Sequence, residues 1–333
     1  MRKIAIALLL AATIVPAKAN DSSAELATGG LVFVRNDAVE MRAEDLFIST
    51  AEIRVSYRFF NKTANDVTVH VAFPMPDIAV EHPDQDISVP TQDPVNILGF
   101  VTKVNGAPVA TKVEQHAVAG GVDRTAVLRG LGIPLAPHLA ATNQALDRLP
   151  RAKWDELVGM GLAAVEEFDA GKGKERHLSA RWGLRTTHYW QQTFPARQET
   201  AIEHRYKPSV GGSVMTSLGA SFARNEPWHA ETIRKYCIEP NIVRALDRAR
   251  RGRDEAAPYS EQRIEYILKT GANWSGPIGD FRLVVDKGDR DSLVSFCGDG
   301  VKKIAPTQFE MRRKDYTPQG NFAVLILKRL PKQ

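Results

Sequence analysis

Between residues 44 and 77 the chain alternates. Ile53, Val55, Tyr57 and Phe59 are separated by Arg54, Ser56 and Arg58, and Val67, Val69, Val71 and Phe73 by Thr68, His70 and Ala72. Successive side chains of a strand point to opposite faces, so a period of two gathers the apolar groups on one side. It predicts a half-buried antiparallel hairpin that turns over residues 61–66. Glu44, Asp45, Leu46, Phe47 and Ile48 lead into it, and Pro74-Met75-Pro76-Asp77 closes it. An apolar strand face needs a second layer to cover it, and this requirement organises the reading of the rest of the chain.

Two short apolar runs, 31–34 and 38–41, flank a turn signal at Asn36-Asp37. A polar loop over 77–93 holds Pro83 and Pro90, with Pro94 just after, and prolines withhold ladder donors. Residues 97–104 read as a strand, Asn105-Gly106 as a two-residue turn, and 109–115 as the returning strand. Residues 20–135 are therefore expected to form a β-sandwich. The period then changes: Trp154, Leu157, Val158, Leu162, Val165 and Phe168 recur at three and four, which predicts a helix from Pro150. A shorter helix over 141–148 precedes it, and Gly171-Lys172-Gly173-Lys174 ends the pair, a helical hairpin spanning 136–176. Strands at 184–193 and 199–206 are joined around Pro195-Ala196, and helices opening at Pro227 and Pro240 form an insertion over 227–253. Further strands follow at 264–268, 281–285, 293–297, 301–304, 308–311 and 322–327. The expected architecture is mainly β: two antiparallel β-sandwich-like domains, 20–135 and 177–333, with a helical hairpin between them and a short helical insertion in the second.

Arg2 and Lys3, an apolar run over 4–15 and Ala17-Lys18-Ala19 read as a signal peptide, 1–19, cleaved after Ala19. Pro16 and Lys18 interrupt the run before the roughly 20 apolar residues that a membrane span needs, and no cysteine follows it as a lipid anchor would require. The expected location is the periplasm or the exterior, with no transmembrane segment after cleavage. The leader's three basic residues take the net charge from +5 to +2, which gives no reason to expect nucleic acid as a partner. About 310 residues remain, beyond the size at which one core usually keeps growing. Cys237 and Cys297 are expected to form a disulfide in an oxidising compartment, with two buried thiols as the alternative. Two cysteines without histidines at ligand spacing cannot complete a tetrahedral metal shell.

The ordered set Glu44-Asp45-Leu46, Tyr57-Arg58-Phe59-Phe60-Asn61, Phe73-Pro74-Met75-Pro76-Asp77, Val104-Asn105-Gly106, Phe194-Pro195, His204-Arg205-Tyr206-Lys207-Pro208, Trp274-Ser275-Gly276-Pro277-Ile278 and 281–287 covers nearly the whole chain beyond the leader. In these residues the sequence resembles a secreted bacterial family known as domain of unknown function 4424. The resemblance implies a secreted, β-rich protein of Gram-negative-type bacteria and brings no activity, cofactor or catalytic residue with it. Residues 44–110 are also similar to the vault and inter-α-trypsin inhibitor domain, a non-enzymatic β module. No Asp-x-Ser-x-Ser adhesion motif follows, so an adhesion role does not come with that similarity.

The sequence has no Gly-x-Ser-x-Gly elbow, His-Glu-x-x-His pair, Walker loop or dinucleotide glycine fingerprint, and Gly211-Gly212-Ser213 sits in a weakly patterned run. No catalytic residue, cofactor or metal is therefore expected. Trp182, His188, Tyr189, Trp190, Glu203, His204 and Tyr206 form the densest group of functional-looking side chains. On their strands His188 and Trp190 share one face and His204 and Tyr206 share one face, with Tyr189 and Glu203 pointing oppositely. Facing pairs would make a sugar- or peptide-binding platform, with Trp182, His188, Trp190, His204 and Tyr206 as candidate ligand-binding residues. Aromatics on strands also fill sandwich cores, which is the competing expectation. Glu81, Asp84 and Asp86 offer oxygen ligands for calcium but lack the spacing of a known loop. Arg244, Arg248, Arg250, Arg251 and Arg253 suit acidic lipid or envelope polysaccharide, or simply the C-terminal dipole of their helix. The leading expectation is a non-catalytic envelope module that binds an unknown protein or an envelope glycan. A hydrolase using His188, Glu203 and His204, and a carbohydrate-binding module using Trp182 or Trp190, are the alternatives.

Overall fold

A computed structural model of the protein describes residues 21–331 apart from 28–29, 79–87, 170, 172, 251 and 253–254. The leader, the carboxylates Glu81, Asp84 and Asp86, and Arg251 and Arg253 lie outside the described residues. The first strands are β1 (Ser22–Ala27), β2 (Gly30–Phe33), β3 (Val39–Ile48), β4 (Ile53–Asn61), β5 (Val67–Pro74), β6 (Val101–Val104), β7 (Ala107–Val109), β8 (Lys112–Ala119) and β9 (Val122–Asp123). Three helices follow, α1 (Thr125–Gly130), α2 (Ala140–Asp147) and α3 (Arg151–Gly159), then β10 (Ala163–Asp169), β11 (Lys174–Ala180), β12 (Gly183–Phe194), β13 (Glu199–Tyr206) and β14 (Gly211–Ser213). Helices α4 (Pro227–Lys235) and α5 (Pro240–Ala249) precede β15 (Tyr259–Tyr266), β16 (Ile278–Asp286), β17 (Leu293–Phe296), β18 (Lys302–Lys303), β19 (Gln308–Tyr316) and β20 (Phe322–Arg329).

The mainly β, antiparallel, sandwich-like class is as expected, and in β4 the alternation places side chains as it should, whereas in β5 Ala72 is buried beside Val71 and Phe73. Ile53, Val55, Tyr57 and Phe59 are at most 1% exposed, while Arg54, Ser56 and Arg58 face outward. The strands nevertheless join different partners from those expected. An eight-stranded sheet runs β18-β19-β16-β3-β4-β13-β6-β7, and a six-stranded sheet runs β2-β1-β5-β12-β8-β9. β4 and β5 therefore sit in opposite sheets, and so do β12 and β13. The turns expected to close two hairpins instead carry the chain across the sandwich. Asn61 holds both crossings: its amide nitrogen donates to the carbonyls of Asn65 and Phe194, at 2.8 and 2.9 Å, and its side-chain oxygen accepts the Thr63 N–H at 2.9 Å.

The expected units 20–135 and 177–333 interleave. β3 pairs in parallel with β16 from Asp280↔Ala43 to Val285↔Ile48, and one cluster of buried side chains runs from Val39 to Ile326. A parallel pair between segments so distant along the chain has no local signal. Gly279 lets the two backbones approach, because a Cβ there would lie 2.8 Å from the Arg42 carbonyl, beside the register shift between Met41 and Ala43.

The helical hairpin expected over 136–176 is corrected. Helix α3 ends at Gly159, and residues 163–180 form the hairpin β10·β11. Gly161, at φ 70°, allows the Leu162 N–H to reach the Leu157 carbonyl and its own N–H to reach that of Val158, which caps the helix. Leu162 and Val165 extend the helical spacing only by coincidence: Leu162 is buried in the turn, and Val165 stands 37% exposed on a strand. Trp154, Leu157, Leu178 and Trp182 share a second buried cluster with Leu128 of the unanticipated α1. The helical insertion is present, and α5 packs Leu246 with Leu218, Tyr236, Leu325 and Leu327. The disulfide Cys237–Cys297 joins the end of α4 to the residue after β17, across a sequence separation of 60. No helix among the described residues is long and apolar enough to cross a membrane.

Candidate functional site

β12 and β13 face each other across the interior, and their even-numbered side chains meet there. The Trp190 and His204 rings lie 5.6 Å apart, and Phe100 lies between the histidines, 4.4 Å from His188 and 4.9 Å from His204. Tyr206 packs on Phe73 at 5.9 Å. Nε2 of His204 is 2.9 Å from the Asp21 carboxylate, Trp274 donates its indole N–H to the Asp21 carbonyl at 2.6 Å, and Nδ1 of His188 is 3.1 Å from the Thr111 hydroxyl. The Tyr57 and Tyr266 hydroxyls share a hydrogen bond of 3.0 Å in the same core. Trp182 stands apart from this group: it lies in the second cluster and donates to the Leu135 carbonyl at 2.7 Å.

The platform expected of Trp182, His188, Trp190, His204 and Tyr206 is therefore interior, since none of the five is more than 4% exposed. Glu203 points out of the opposite side of β13, so the backbone of its own strand separates it from His204 and His188. The hydrolase arrangement and the tryptophan sugar platform both require an open cleft, and the sandwich fills that space with Phe73 and Phe100.

Burial, reinforced by the neighbouring His204, holds the His188 imidazole down to about 4. The fold thus keeps the neutral ring, whereas the unfolded chain takes up a proton near the ordinary value of about 6.5. This contribution to stability is complete above that value and is lost as the pH falls towards 4, by about 3 kcal/mol in all. Urea unfolding of wild type at pH 7.5 and pH 4.5 is expected to differ by most of that amount more than the same pair of measurements on His188→Gln. Equal pH dependence in the two proteins would refute this account of the core.

The large open concavity lies on the other side of β13, on the outward face of the eight-stranded sheet, with a volume of about 650 Å³. Strand register lays two transverse rows across it. One runs Lys103, Glu203, Ser56, Asp45, Arg282 and Arg312 on β6, β13, β4, β3, β16 and β19. The other, two residues along each strand, runs Val101, Arg205, Arg54, Phe47, Val284 and Glu310. Arg282 bonds Asp45 at 2.9 Å and Glu310 at 2.7 Å, and Arg312 reaches Glu310 at 3.1 Å. Hydrogen bonds from Arg312 and Arg282 hold the Glu310 carboxyl below its ordinary range. Arg54 and Arg205 share Glu52, at 3.1 and 2.6 Å, and the Arg54 guanidinium lies 4.5 Å over the Phe47 ring.

Such a surface can present cations, carboxylates and a hydroxyl at fixed spacing, because neighbouring strands lie about 4.8 Å apart. Among the described residues no group of three or more His, Cys, Asp or Glu is arranged for a metal ion. Apart from Glu203, the groove side chains did not stand out in the sequence. Their only signal was the polar half of the alternation, Arg54-x-Ser56-x-Arg58, and the register that aligns them with Glu203, Arg205 and Arg282 is set by long-range pairing.

Comparison with curated proteins finds none that matches. Among solved structures the chain is similar to a "putative nutrient binding protein" of Legionella pneumophila subsp. pneumophila str. Philadelphia 1, at 14% identity and a TM-score of 0.45, covering 93% of this chain and 70% of that one. The family model described as domain of unknown function (DUF4424) matches residues 19–325, and the chain belongs to that family.

Proposed function

We propose that this is an exported, non-catalytic binding module of the bacterial envelope, which takes a protein or glycan of the envelope on the outward face of the eight-stranded sheet. The observation that carries the reading is the 650 Å³ groove, floored by aligned rows of charged and hydroxyl side chains. Export rests on the leader features of residues 1–19 and on the disulfide, since such bonds form and persist in oxidising compartments.

The test is site-specific photocrosslinking in intact cells. A photoreactive residue in place of Ser56, on the groove floor, is expected to capture an envelope component, whereas one in place of the exposed Gln191 of the six-stranded sheet is not. Equal capture from both faces, or none from residue 56, would remove the groove as the binding surface.

A further inference from the structure

We infer that the ligand of this groove is an oligosaccharide bearing carboxylates, and that Arg54 and Arg205 receive a carboxylate; this deepens the binding role proposed above and rests on it. The two arginines stand directly opposite each other on β4 and β13. Like charges in that position destabilise a sheet, and here a single carboxylate, Glu52, serves both. Their side chains remain 53% and 67% exposed, so the uncompensated positive charge faces the groove. Lys103, one strand further on, stands directly opposite Glu203, so with Glu52 this end carries three cations against two carboxylates.

The other cross-strand arginine pair behaves differently. Arg282 and Arg312 are also in register, but Asp45 and Glu310 together neutralise them. The groove therefore has a charged end at β6, β13 and β4 and a balanced end at β16 and β19. Guanidinium groups match carboxylates in a planar, two-bond geometry, which favours an anion at the first end.

Alongside the arginines, in the neighbouring row, Glu203 on β13, Ser56 on β4 and Asp45 on β3 offer acceptors and a hydroxyl, the complement of a ligand rich in hydroxyl groups. Val101, 55% exposed, offers a small apolar surface for the C–H face of a ring. A lipid surface would need protruding aliphatic groups, and a protein partner would need an apolar centre to its interface. Val101 is a single exposed aliphatic group, Val284 is buried and Phe47 lies beneath Arg54, so the groove has neither a cluster of protruding aliphatic groups nor an apolar centre.

Titration calorimetry on the protein without its leader tests the assignment, with trigalacturonate, its uncharged methyl ester and inorganic phosphate as probes. Trigalacturonate is expected to bind at least tenfold more tightly than the ester or phosphate, and more weakly as salt rises. Arg54→Gln and Arg205→Gln are each expected to weaken it about tenfold, Arg176→Gln, exposed on β11 and outside the groove, to change it little, and Glu52→Gln to strengthen it severalfold by releasing both guanidiniums. Equal binding of the ester, equal binding of phosphate, no binding of trigalacturonate, or indifference to both arginine substitutions would overturn the acidic-sugar assignment. If residue 56 still captured a component in cells, the binding role would stand without it; loss of that capture would remove both.

Discussion

Replacing His204 by alanine is expected to lower the free energy of unfolding by about 3–5 kcal/mol, because it removes a large buried ring together with its hydrogen bond to the Asp21 carboxyl. The Asp21 and His204 side chains are 0% exposed and 2.9 Å apart. Burial raises the Asp21 carboxyl above its ordinary range, and His204 pulls it back. Without the imidazole, the Asp21 carboxyl loses a partner that offsets its burial. The lost ring also leaves a cavity against Tyr57, Phe73, Phe100 and Trp190. Urea unfolding of His204→Ala, Asp21→Asn and the double variant forms a cycle in which the double loss should be smaller than the sum of the singles. Hydrogen exchange should quicken first in β1, which Asp21 precedes. A loss below about 1 kcal/mol, or strict additivity, would contradict the role given to this pair.

Replacing both Cys237 and Cys297 by serine is expected to cost about 4 kcal/mol. This is the loop-closure entropy for a separation of 60 residues on the chain-entropy model, whose mechanism is debated. The bond fastens the end of α4, where no residue is buried, to the four-stranded sheet β14-β15-β20-β17. The other contacts of that helix and its end are few: Ile233 packs on the Leu218 cluster, His229 Nε2 accepts the Gly219 N–H at 3.1 Å, Lys235 pairs with Glu265 of β15 at 2.5 Å, and the Ser295 hydroxyl donates to the carbonyls of Tyr236 and Cys237 at 3.0 and 3.2 Å. The loss should therefore appear as faster hydrogen exchange in α4 and α5 before β3 or β16 is affected. Reduction of the wild type should reproduce it. Identical unfolding midpoints with and without reductant would show that the apolar contacts alone hold the insertion.

Much of this protein was legible without its fold. Asn105 and Gly106 have φ of 48° and 80°, as a two-residue hairpin turn between β6 and β7 requires, and Pro227 and Pro240 open α4 and α5. The helix over 141–148 appears as α2, and the two cysteines are joined. Where the reading failed, two physical arrangements shared one local pattern. Trp154 to Phe168 keeps helical spacing through Gly161, whose left-handed backbone ends the helix. Residues 53–73 alternate in the same way whether β4 and β5 are neighbours or stand in facing sheets.

By itself, then, the sequence determined the inward face of β4, Ile53, Val55, Tyr57 and Phe59, because each strand residue reverses direction, whereas on β5 Ala72 is as buried as Val71 and Phe73. It determined most turns and helix starts too, since glycine, asparagine and proline act through their own backbone. Only the tertiary structure decided which strands lie side by side. Backbone hydrogen bonds carry no residue label, so β3·β16 and β4·β13 form through long-range packing. That choice turned His188, Trp190, His204 and Tyr206 into core, and set Arg54 opposite Arg205 on the surface left open to a ligand.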